Sequence, residues 1–428
     1  MIVSNNFLNS LPFFQEKQVV NFNKDIKSEI LKKIENENDE EVLGFLKTVE
    51  TIDEEIIAAI WKENRNTLLD KVIEHFPEVV ADGCKDLLFD MCSEGCEDVA
   101  IKLIEAGASI DKRGSVSCSR FNIYNNSSLL HLCCAKGLKR VVPVLLQKGA
   151  LIDARNDTRC TPLHLACIEG EEEMVRVLLD NGAKIKTQDT NGYSALHFAS
   201  AHGKKNIVEL LLSREASKDL QTDERKTPFQ IACQNGHVEV AEVLYNSGTN
   251  LEAKDNKKHT ALLSACRNGN KEIAEFLLDR GAKIEAIGID NVTSLHLASK
   301  KGHKKIIELL LNRGANSKAQ TKNKMTPLHF ACMHRQTKCA EFLLDRGASY
   351  IEAQDENGRT PLYLACKNGN LKLVKALLDR GADPKAESKN GKIPFHIACK
   401  YGYKEIAELF LDHGVSINFS TKNGDIAI

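Results

Sequence analysis

Residues 161–180 read TPLHLACIEGEEEMVRVLLD, and this stretch decides the fold because it returns along the chain with small changes. Most copies begin 33 residues apart. The positions equivalent to its first residue are Asp86, Ser128, Thr161, Ser194, Thr227, Thr260, Thr293, Thr326, Thr360 and Ile393. A period of this length is typical of stacked units that bury their apolar faces only against their neighbours.

Each copy has the pattern of two short helices. Thr161 is placed to cap the first helix with its hydroxyl group, and Pro162 follows at the first helical position, where its missing N–H costs nothing. Gly170 ends this helix, a second apolar stripe follows at residues 175–179, and Gly182 ends the second helix. The repeated unit is therefore predicted to be a turn followed by two helices.

Two insertions and two substitutions depart from the pattern. A 42-residue step before Ser128 accommodates a polar insertion at residues 112–127, and one more residue is inserted around Tyr350. Both insertions are predicted to be loops, because an insertion inside a helix would rotate its apolar face away from the core. Arg335 and Glu215 stand where other copies have glycine. A left-handed backbone at Arg335 would cost about 1 kcal/mol.

The string Thr-Pro-Leu-His-Leu-Ala, the glycine between the helices and the closing Leu-Leu-Asp-Xaa-Gly-Ala together resemble the ankyrin repeat. The resemblance implies an all-α ankyrin-repeat solenoid of helix-turn-helix units with β-turn fingers. Residues 84–428 are predicted to form this domain, with about ten units and an incomplete turn after the last. Residues 1–83 are predicted to be an acidic helical region that caps the first unit, with degenerate repeats as an alternative.

The composition is that of an ordinary folded protein. Hydrophobic residues make up 42% of the chain, charged residues 27%, and the net charge is −1. We find no secretory signal and no run of about 20 apolar residues, so we expect an intracellular, cytoplasmic chain without membrane insertion. A nuclear location and delivery into another cell stay open. The 14 cysteines are too sparse for a disulfide scaffold and are predicted to be reduced.

Histidine and cysteine recur three residues apart on the first helix, as in the pair His164 and Cys167. Two ligands are too few for a metal site, and helices roughly 8–10 Å apart would keep neighbouring pairs from sharing an ion. Ser200 and Ser299 complete the cysteine column, which indicates a small packing residue. The histidine column resembles the ankyrin histidine that bonds to the backbone near the turns. We therefore predict no catalytic residue, no metal and no cofactor, and a chain that is not an enzyme.

The resemblance also implies a binding surface, because partners of ankyrin folds usually dock on the concave side, which the turn tips and the ends of the first helices form. From Lys257 onward, lysine, arginine and histidine dominate these positions. The predicted partner-binding residues are Tyr193, Lys257, Lys258, His259, Arg267, Lys300, Lys301, Lys322, Lys324, Met325, Met333, His334, Arg359, Lys367, Lys392, Lys400 and Tyr401. We predict a protein scaffold or adaptor whose groove binds an acidic segment, against the alternative of a merely solvated basic face. Nucleic acid is disfavoured, since the basic residues are spread among acidic helices.

Further alternatives concern the two ends of the chain. Leu11-Pro12 faintly resembles the start of an F-box, which leaves open an effector or ubiquitin-ligase-type adaptor whose N-terminal region recruits machinery while the repeats select the target. Residues 1–83 hold 9 basic and 17 acidic residues, so an arm of this segment is an alternative occupant of the basic groove. At the other end, the tenth unit would expose Ile406 and Phe410. We expect a monomer, with a dimer through this C-terminal face as the alternative.

Overall fold

The structure of the chain is a computed structural model that describes residues 24–49, 51–80, 84–118, 122–346 and 350–420. Leu11, Pro12 and the predicted incomplete turn at residues 421–428 lie outside the described residues. The regular structure of the described residues is helical apart from one two-stranded sheet, and the predicted all-α repeat architecture is confirmed. The chain divides into two compact units, Met1–Lys184 and Ile185–Ile428.

In the first unit the helices follow one another in pairs, and a hairpin precedes the fourth pair. The elements are α1 (Lys24–Asn36), α2 (Asp39–Leu46), α3 (Glu54–Lys62), α4 (Asn66–His75), α5 (Lys85–Glu94), α6 (Glu97–Glu105), β1 (Arg113–Cys118), β2 (Asn122–Ser128), α7 (Leu129–Lys136), α8 (Val141–Gln147), α9 (Pro162–Glu169) and α10 (Glu172–Asp180). First helices pack on first helices, as in α1 on α3, and second helices on second helices, as in α2 on α4. The helices before α5 therefore stack in the same manner as those that follow.

The second unit continues the same series of helix pairs. Its helices are α11 (Ala195–Ala201), α12 (Lys205–Ser213), α13 (Pro228–Asn235), α14 (Val238–Asn246), α15 (Ala261–Asn268), α16 (Lys271–Asp279), α17 (Ser294–Lys301), α18 (Lys304–Asn312), α19 (Pro327–Met333), α20 (Thr337–Asp345), α21 (Pro361–Lys367), α22 (Leu371–Asp379), α23 (Pro394–Lys400) and α24 (Lys404–Asp412). A short 3-10 helix, Ile289–Asn291, lies in the turn before α17. Each first helix contacts its own second helix and the next first helix.

Local sequence explains where the helices begin and end. Thr227 Oγ1 accepts a hydrogen bond from the N–H of Gln230 at 3.3 Å, and Pro228 occupies the first turn of α13. Gly236 ends α13 in the left-handed conformation, with a φ of 88°. Cys233 is fully buried, and its small side chain lets neighbouring first helices pack closely.

The turn before each first helix forms a finger, and two sets of hydrogen bonds fix it. Asp255 Oδ1 accepts from the N–H groups of Lys257 and His259, each at 2.8 Å. Consecutive fingers are also joined through the backbone, since the N–H of Asn256 donates to the carbonyl of Glu224 at 2.9 Å. The same link recurs at the later fingers of the second unit, at 2.8 to 3.2 Å. The finger side chains therefore project from a fixed frame.

The polar insertion before Ser128 forms a hairpin, where we expected a loop. β1 and β2 are antiparallel, with Val116 opposite Tyr124 and Cys118 opposite Asn122. Val116, Cys118 and Tyr124 are buried, and both strands contact α7. The insertion folds regularly because the alternation of a strand places these apolar side chains on one covered face.

Arg335 and Glu215 adopt the left-handed backbone that glycine favours, with φ values of 60° and 61°. We expect Arg335→Gly and Glu215→Gly each to raise the free energy of unfolding by about 1 kcal/mol, since a Cβ atom is strained in this conformation. Urea denaturation measures the change. Lys375→Gly, in the middle of α22, is the matched control and should lower the free energy of unfolding by about 1 kcal/mol. Two destabilised variants at positions 335 and 215 would contradict the strain.

Candidate protein-binding site

A polar cavity of about 470 Å³ lies in the second unit, between two consecutive fingers and the ends of α13 and α15. The fingers contribute Glu224, Lys226, Asp255, Asn256, Lys257 and His259. The helices contribute Gln234, Ser264, Arg267 and Asn268. We call this cavity the Arg267 pocket. Its lining shows that the fingers and the ends of the first helices face one groove here.

The charges of the Arg267 pocket are unequal. Lys226 Nζ lies 2.7 Å from the carboxylate of Glu224. This hydrogen bond and the charge of Lys226 lower the pKa of Glu224. Lys257 and Arg267 lower it further through their charges. The one exposed carboxylate of the pocket therefore lies within the field of three cations.

His259 and Asp255 form the half-buried floor of this pocket. Burial lowers the pKa of His259, the charge of Asp255 opposes this shift, and the surrounding cations add to it. The imidazole is therefore neutral at pH 7. Asp255 is 7% exposed, and its carboxylate already accepts two backbone N–H groups of its own finger. Glu224 and Asp255 therefore oppose three cations, Lys226, Lys257 and Arg267, and the pocket keeps one positive charge in excess.

One row of positions at the ends of the first helices is basic. The residues equivalent to Arg267 in the following copies are Lys300, Met333, Lys367 and Lys400. We call the four cations Arg267, Lys300, Lys367 and Lys400 the basic row. All four are exposed. None of them forms an ion pair within 4.0 Å in the part of the chain that the structure describes.

On the second helices of the same unit, arginines form ion pairs with aspartates of the preceding second helix. Arg313 Nη1 lies 2.6 Å from the carboxylate of Asp279. Arg380 Nη2 lies 2.8 Å from that of Asp345. These pairs join consecutive second helices. The basic row has no equivalent carboxylates, so its charge is directed to solvent or to a partner.

The fingers add four exposed lysines, Lys257, Lys258, Lys322 and Lys324. Lys258 and Lys324 have φ values of 55° and 59°, at the finger position that Gly358 occupies with a φ of 71°. A lysine there is strained by about 1 kcal/mol relative to glycine. Two finger tips therefore carry a cation at a cost in stability.

The remaining predicted cations are partly engaged within the chain. Arg359 Nη2 lies 2.7 Å from the carboxylate of Asp355, whose side chain is 1% exposed. Lys392 is half-buried, whereas Lys301 is exposed. Lys301 and Lys300 lie near enough to His334 to lower its pKa, after burial as the main cause. Lys300 and Lys301 thus place two exposed cations at the end of α17, close to His334 after α19.

The apolar residues of the predicted surface are less accessible than its cations. Met325 is 8% exposed, and its carbonyl accepts a hydrogen bond from His296 Nε2 at 3.0 Å. Tyr193 and Met333 are half-buried. Tyr401 is 47% exposed, with Lys400 Nζ 5.7 Å from the centre of its ring. Among these four, Tyr401 offers a partner the most apolar surface.

Sequence reasoning overlooked four residues of the Arg267 pocket, namely Lys226, Asp255, Asn256 and Ser264. A signal for Asp255 was present, because hydrogen-bonding residues recur at its position in other fingers, including Asp189 and Thr321. Asp189 Oδ1 accepts from the N–H of Tyr193 at 2.7 Å in the same manner. The column therefore marks the residue that shapes each finger.

In the first unit, the hairpin lies against the residues that would line the groove. Cys118 at the end of β1 hydrogen-bonds to Glu169 at the end of α9, and burial raises the pKa of Cys118 to about 12. Asn126 Nδ2 donates to Asp157 Oδ1 at 2.9 Å. These two acidic groove positions thus have partners within the chain, unlike the basic row.

The histidine column supports the fingers. The N–H of Ser194 donates to His197 Nδ1 at 3.1 Å, and His197 Nε2 donates to the carbonyl of Lys226 at 3.2 Å. The predicted backbone role is confirmed, and the equivalent His131 and His296 make the same bonds. Burial lowers the pKa of these three histidines to about 4. Each of these neutral histidines links the first helix of one repeat to the finger of the next repeat.

Twelve of the 14 cysteines are buried, and only Cys96 and Cys399 are partly exposed. We expect iodoacetamide to label Cys96 and Cys399 about tenfold faster than the buried column in the native chain, because a buried thiol neither ionises nor meets the reagent. Mass spectrometry of digested peptides measures the labelling. In denaturing urea all 14 should react alike. Native labelling of Cys167 at the rate of Cys96 would contradict the packing role.

The described ranges contain neither a metal-binding cluster nor a helix that could span a membrane. No cluster there brings together three or more His, Cys, Asp or Glu side chains in a way that could hold a metal ion. None of the helices in these ranges combines the length and the apolar character needed to cross a membrane.

A family model described as "Ankyrin repeats (3 copies)" matches residues 88–189, 130–222, 196–288, 286–355 and 349–423. The chain therefore belongs to the ankyrin-repeat family. Ankyrin repeats are protein–protein interaction modules, and the fold is typically a non-enzymatic scaffold.

Among solved structures, the human ASB11 ankyrin repeat domain is similar to this chain. The two are 28% identical with a TM-score of 0.47, and the match covers 51% of this chain and 98% of that one. No curated protein matches the chain.

Proposed function

We propose that this chain is a non-catalytic adaptor that binds a partner protein through the fingers and first-helix ends of residues 256–401. The partner segment is acidic. The observation that carries this proposal is the basic row, whose four exposed cations form no ion pair within 4.0 Å among the described residues. An acidic segment supplies the charges that the chain itself does not place there.

The contrast between two surfaces supports the proposal. Second helices of the same copies pair arginine with aspartate, as in Arg313 with Asp279 at 2.6 Å. A merely solvated surface would show the same mixture on both sides. Like charges about 10 Å apart in a row repel one another, with a Debye length of about 8 Å at physiological salt. This repulsion is relieved when an anionic segment binds.

The strained finger tips supply an independent test. We expect Lys258→Gly with Lys324→Gly to raise the free energy of unfolding by about 2 kcal/mol together, since glycine adopts the left-handed conformation at both positions without the strain of a Cβ atom. The same variant should bind the partner roughly tenfold more weakly, because two cations are lost. Glu215→Gly, which relieves the same strain on a second helix, is the control and should leave affinity unchanged. A stabilised double variant with full affinity would remove the fingers from the binding site.

Affinity capture identifies the partner. The wild-type chain and a Lys300→Glu, Lys301→Glu, Lys367→Glu variant are used in parallel, and the captured proteins are compared by mass spectrometry. The control variant, Lys305→Glu, Lys338→Glu, Lys375→Glu, makes the same charge change on exposed positions of second helices. The proposal expects a protein with an acidic segment that the control retains and the groove variant loses. A partner retained by both variants would contradict it.

We further propose that residues 84–428 form the repeat domain, that residues 1–83 cap it, and that the chain acts as a cytoplasmic monomer. The N–H of Leu87 in α5 donates to the carboxylate of Glu54 in α3 at 3.3 Å, and this bond between the two segments supports a capping role. Light scattering checks the monomer, and a mass that rises with concentration would contradict it.

A further inference from the structure

The Arg267 pocket differs from the rest of the basic row. Arg267 is its one arginine, and the other three cations are lysines. A guanidinium group presents a planar fork of donors that matches a carboxylate or phosphate, whereas an ammonium group is a point charge that tolerates many positions. Arg267 also has a walled cavity beside it, of about 470 Å³. The geometry therefore separates one specific position from several non-specific ones.

The walls of the pocket are held in place. Asn268 Nδ2 donates to the carbonyl of Gln234 at 2.8 Å, across the two helix ends. On the finger side, Asn256 Nδ2 donates to the carbonyl of Asp223 at 2.9 Å. Gln230 Nε2 supports the same finger from below, at 3.1 Å from the carbonyl of His259. A pocket fixed in this way loses little freedom when a ligand enters.

The charge of the pocket selects the ligand. Lys257 and Arg267 are exposed and form no ion pair in the described part of the chain. The carboxylate of Glu224 already lies 2.7 Å from Lys226 at the rim, which shows that this position accepts an anionic oxygen. The lining holds three cations against the two carboxylates of Glu224 and Asp255, and this excess of positive charge favours one further anionic group in the pocket.

We propose that the Arg267 pocket binds one anionic side chain of the partner's acidic segment and thereby fixes the register of that segment in the groove. The lysines of the basic row attract the acidic segment in many registers along the groove, whereas Arg267 binds an anionic side chain in only one of these registers. A carboxylate and a phosphorylated serine share the required chemistry. This inference rests on the proposed function of the groove.

The test uses the full chain and a labelled peptide of glutamate and serine residues, with fluorescence anisotropy as the readout. Each glutamate is replaced in turn by alanine and, in a second series, by phosphoserine. We expect one position whose alanine replacement weakens binding about tenfold, with small effects elsewhere. If the pocket prefers phosphate, the peptide with phosphoserine at that position binds more tightly than the glutamate peptide. If the pocket prefers carboxylate, it does not.

Arg267→Lys keeps the charge and removes the fork, and Lys300 shows that lysine is accommodated at the equivalent position. In this variant the dominant position should disappear from the alanine series. Lys300→Ala should weaken all peptides alike and leave the dominant position intact. A flat series in the wild type, or one that Arg267→Lys leaves unchanged, overturns the register role while the groove proposal stands. A wild-type chain that does not bind the peptide overturns both.

Discussion

Acidification from pH 8 to pH 5 should lower the free energy of unfolding by several kcal/mol. The pKa of His131, His197 and His296 is lowered from about 6.5 to about 4 by burial. Below pH 6.5 the unfolded chain therefore takes up protons that the folded chain refuses. The contribution of these neutral histidines to the free energy of unfolding is fully present above pH 6.5. It is lost progressively as the pH falls to 4, at about 1.4 kcal/mol per pH unit for each histidine.

The chain itself supplies the variant that isolates this effect. Gln230 occupies the histidine column in α13, where its Oε1 accepts from the N–H of Thr227 at 3.0 Å and its Nε2 donates to the carbonyl of His259 at 3.1 Å. A glutamine thus makes both bonds without titrating. We expect the triple His→Gln variant at positions 131, 197 and 296 to lose much less stability in urea between pH 8 and pH 5 than the wild type, with the remainder carried by buried histidines such as His329.

His413→Gln, at an exposed position on the last helix turn, is the matched control and should keep the wild-type dependence. Circular dichroism across urea series at each pH gives the free energies. A triple variant as sensitive to acid as the wild type would show that other groups carry the titration.

Replacement of Lys300, Lys301 and Lys367 by glutamate should lower the affinity for the partner roughly 100-fold at physiological salt. Long-range attraction between a basic groove and an acidic segment acts mainly on the association rate, which such steering changes by 10 to 1,000-fold in general. We therefore expect most of the loss in the association rate. Surface plasmon resonance with the captured partner separates the two rate constants.

Salt provides the second readout of the same prediction. Affinity of the wild type should fall as salt rises, because exposed charges are screened beyond the Debye length. The reversed variant should lose this dependence or invert it. The second-helix control, with the same change in net charge, should behave as the wild type. Equal losses in both variants would mean that net charge matters and the groove does not.

The repeat architecture was predictable because each structural signal recurs with the same period. Thr227, Pro228 and Gly236 specify a cap, a first turn and a left-handed end, and the same residue types do so in other copies. The hairpin had no such support. Its insertion occurs once, and only the alternation of Val116, Cys118 and Tyr124 distinguishes a strand from a polar loop. A single short alternation is weak evidence in a helical chain.

The structure brings three of the predicted partner-binding residues, Lys257, His259 and Arg267, together at the Arg267 pocket. What the sequence did not reveal is which cations are already engaged. Arg359 and Asp355 are four residues apart across a turn, and their contact depends on the finger backbone. Met325 resembles an exposed tip residue in sequence, yet it is only 8% exposed. Tertiary packing decides both.

The most direct test of the account is a hydrogen-exchange map of the chain with and without the captured partner. When the partner is bound, we predict slower amide exchange in the fingers at residues 256–259 and 322–325. We predict the same slowing at the helix ends near Arg267, Lys300 and Lys367. The second helices, such as α18 and α20, should exchange as in the free chain. Protection confined to the second helices, with unchanged fingers, would contradict the proposed binding surface.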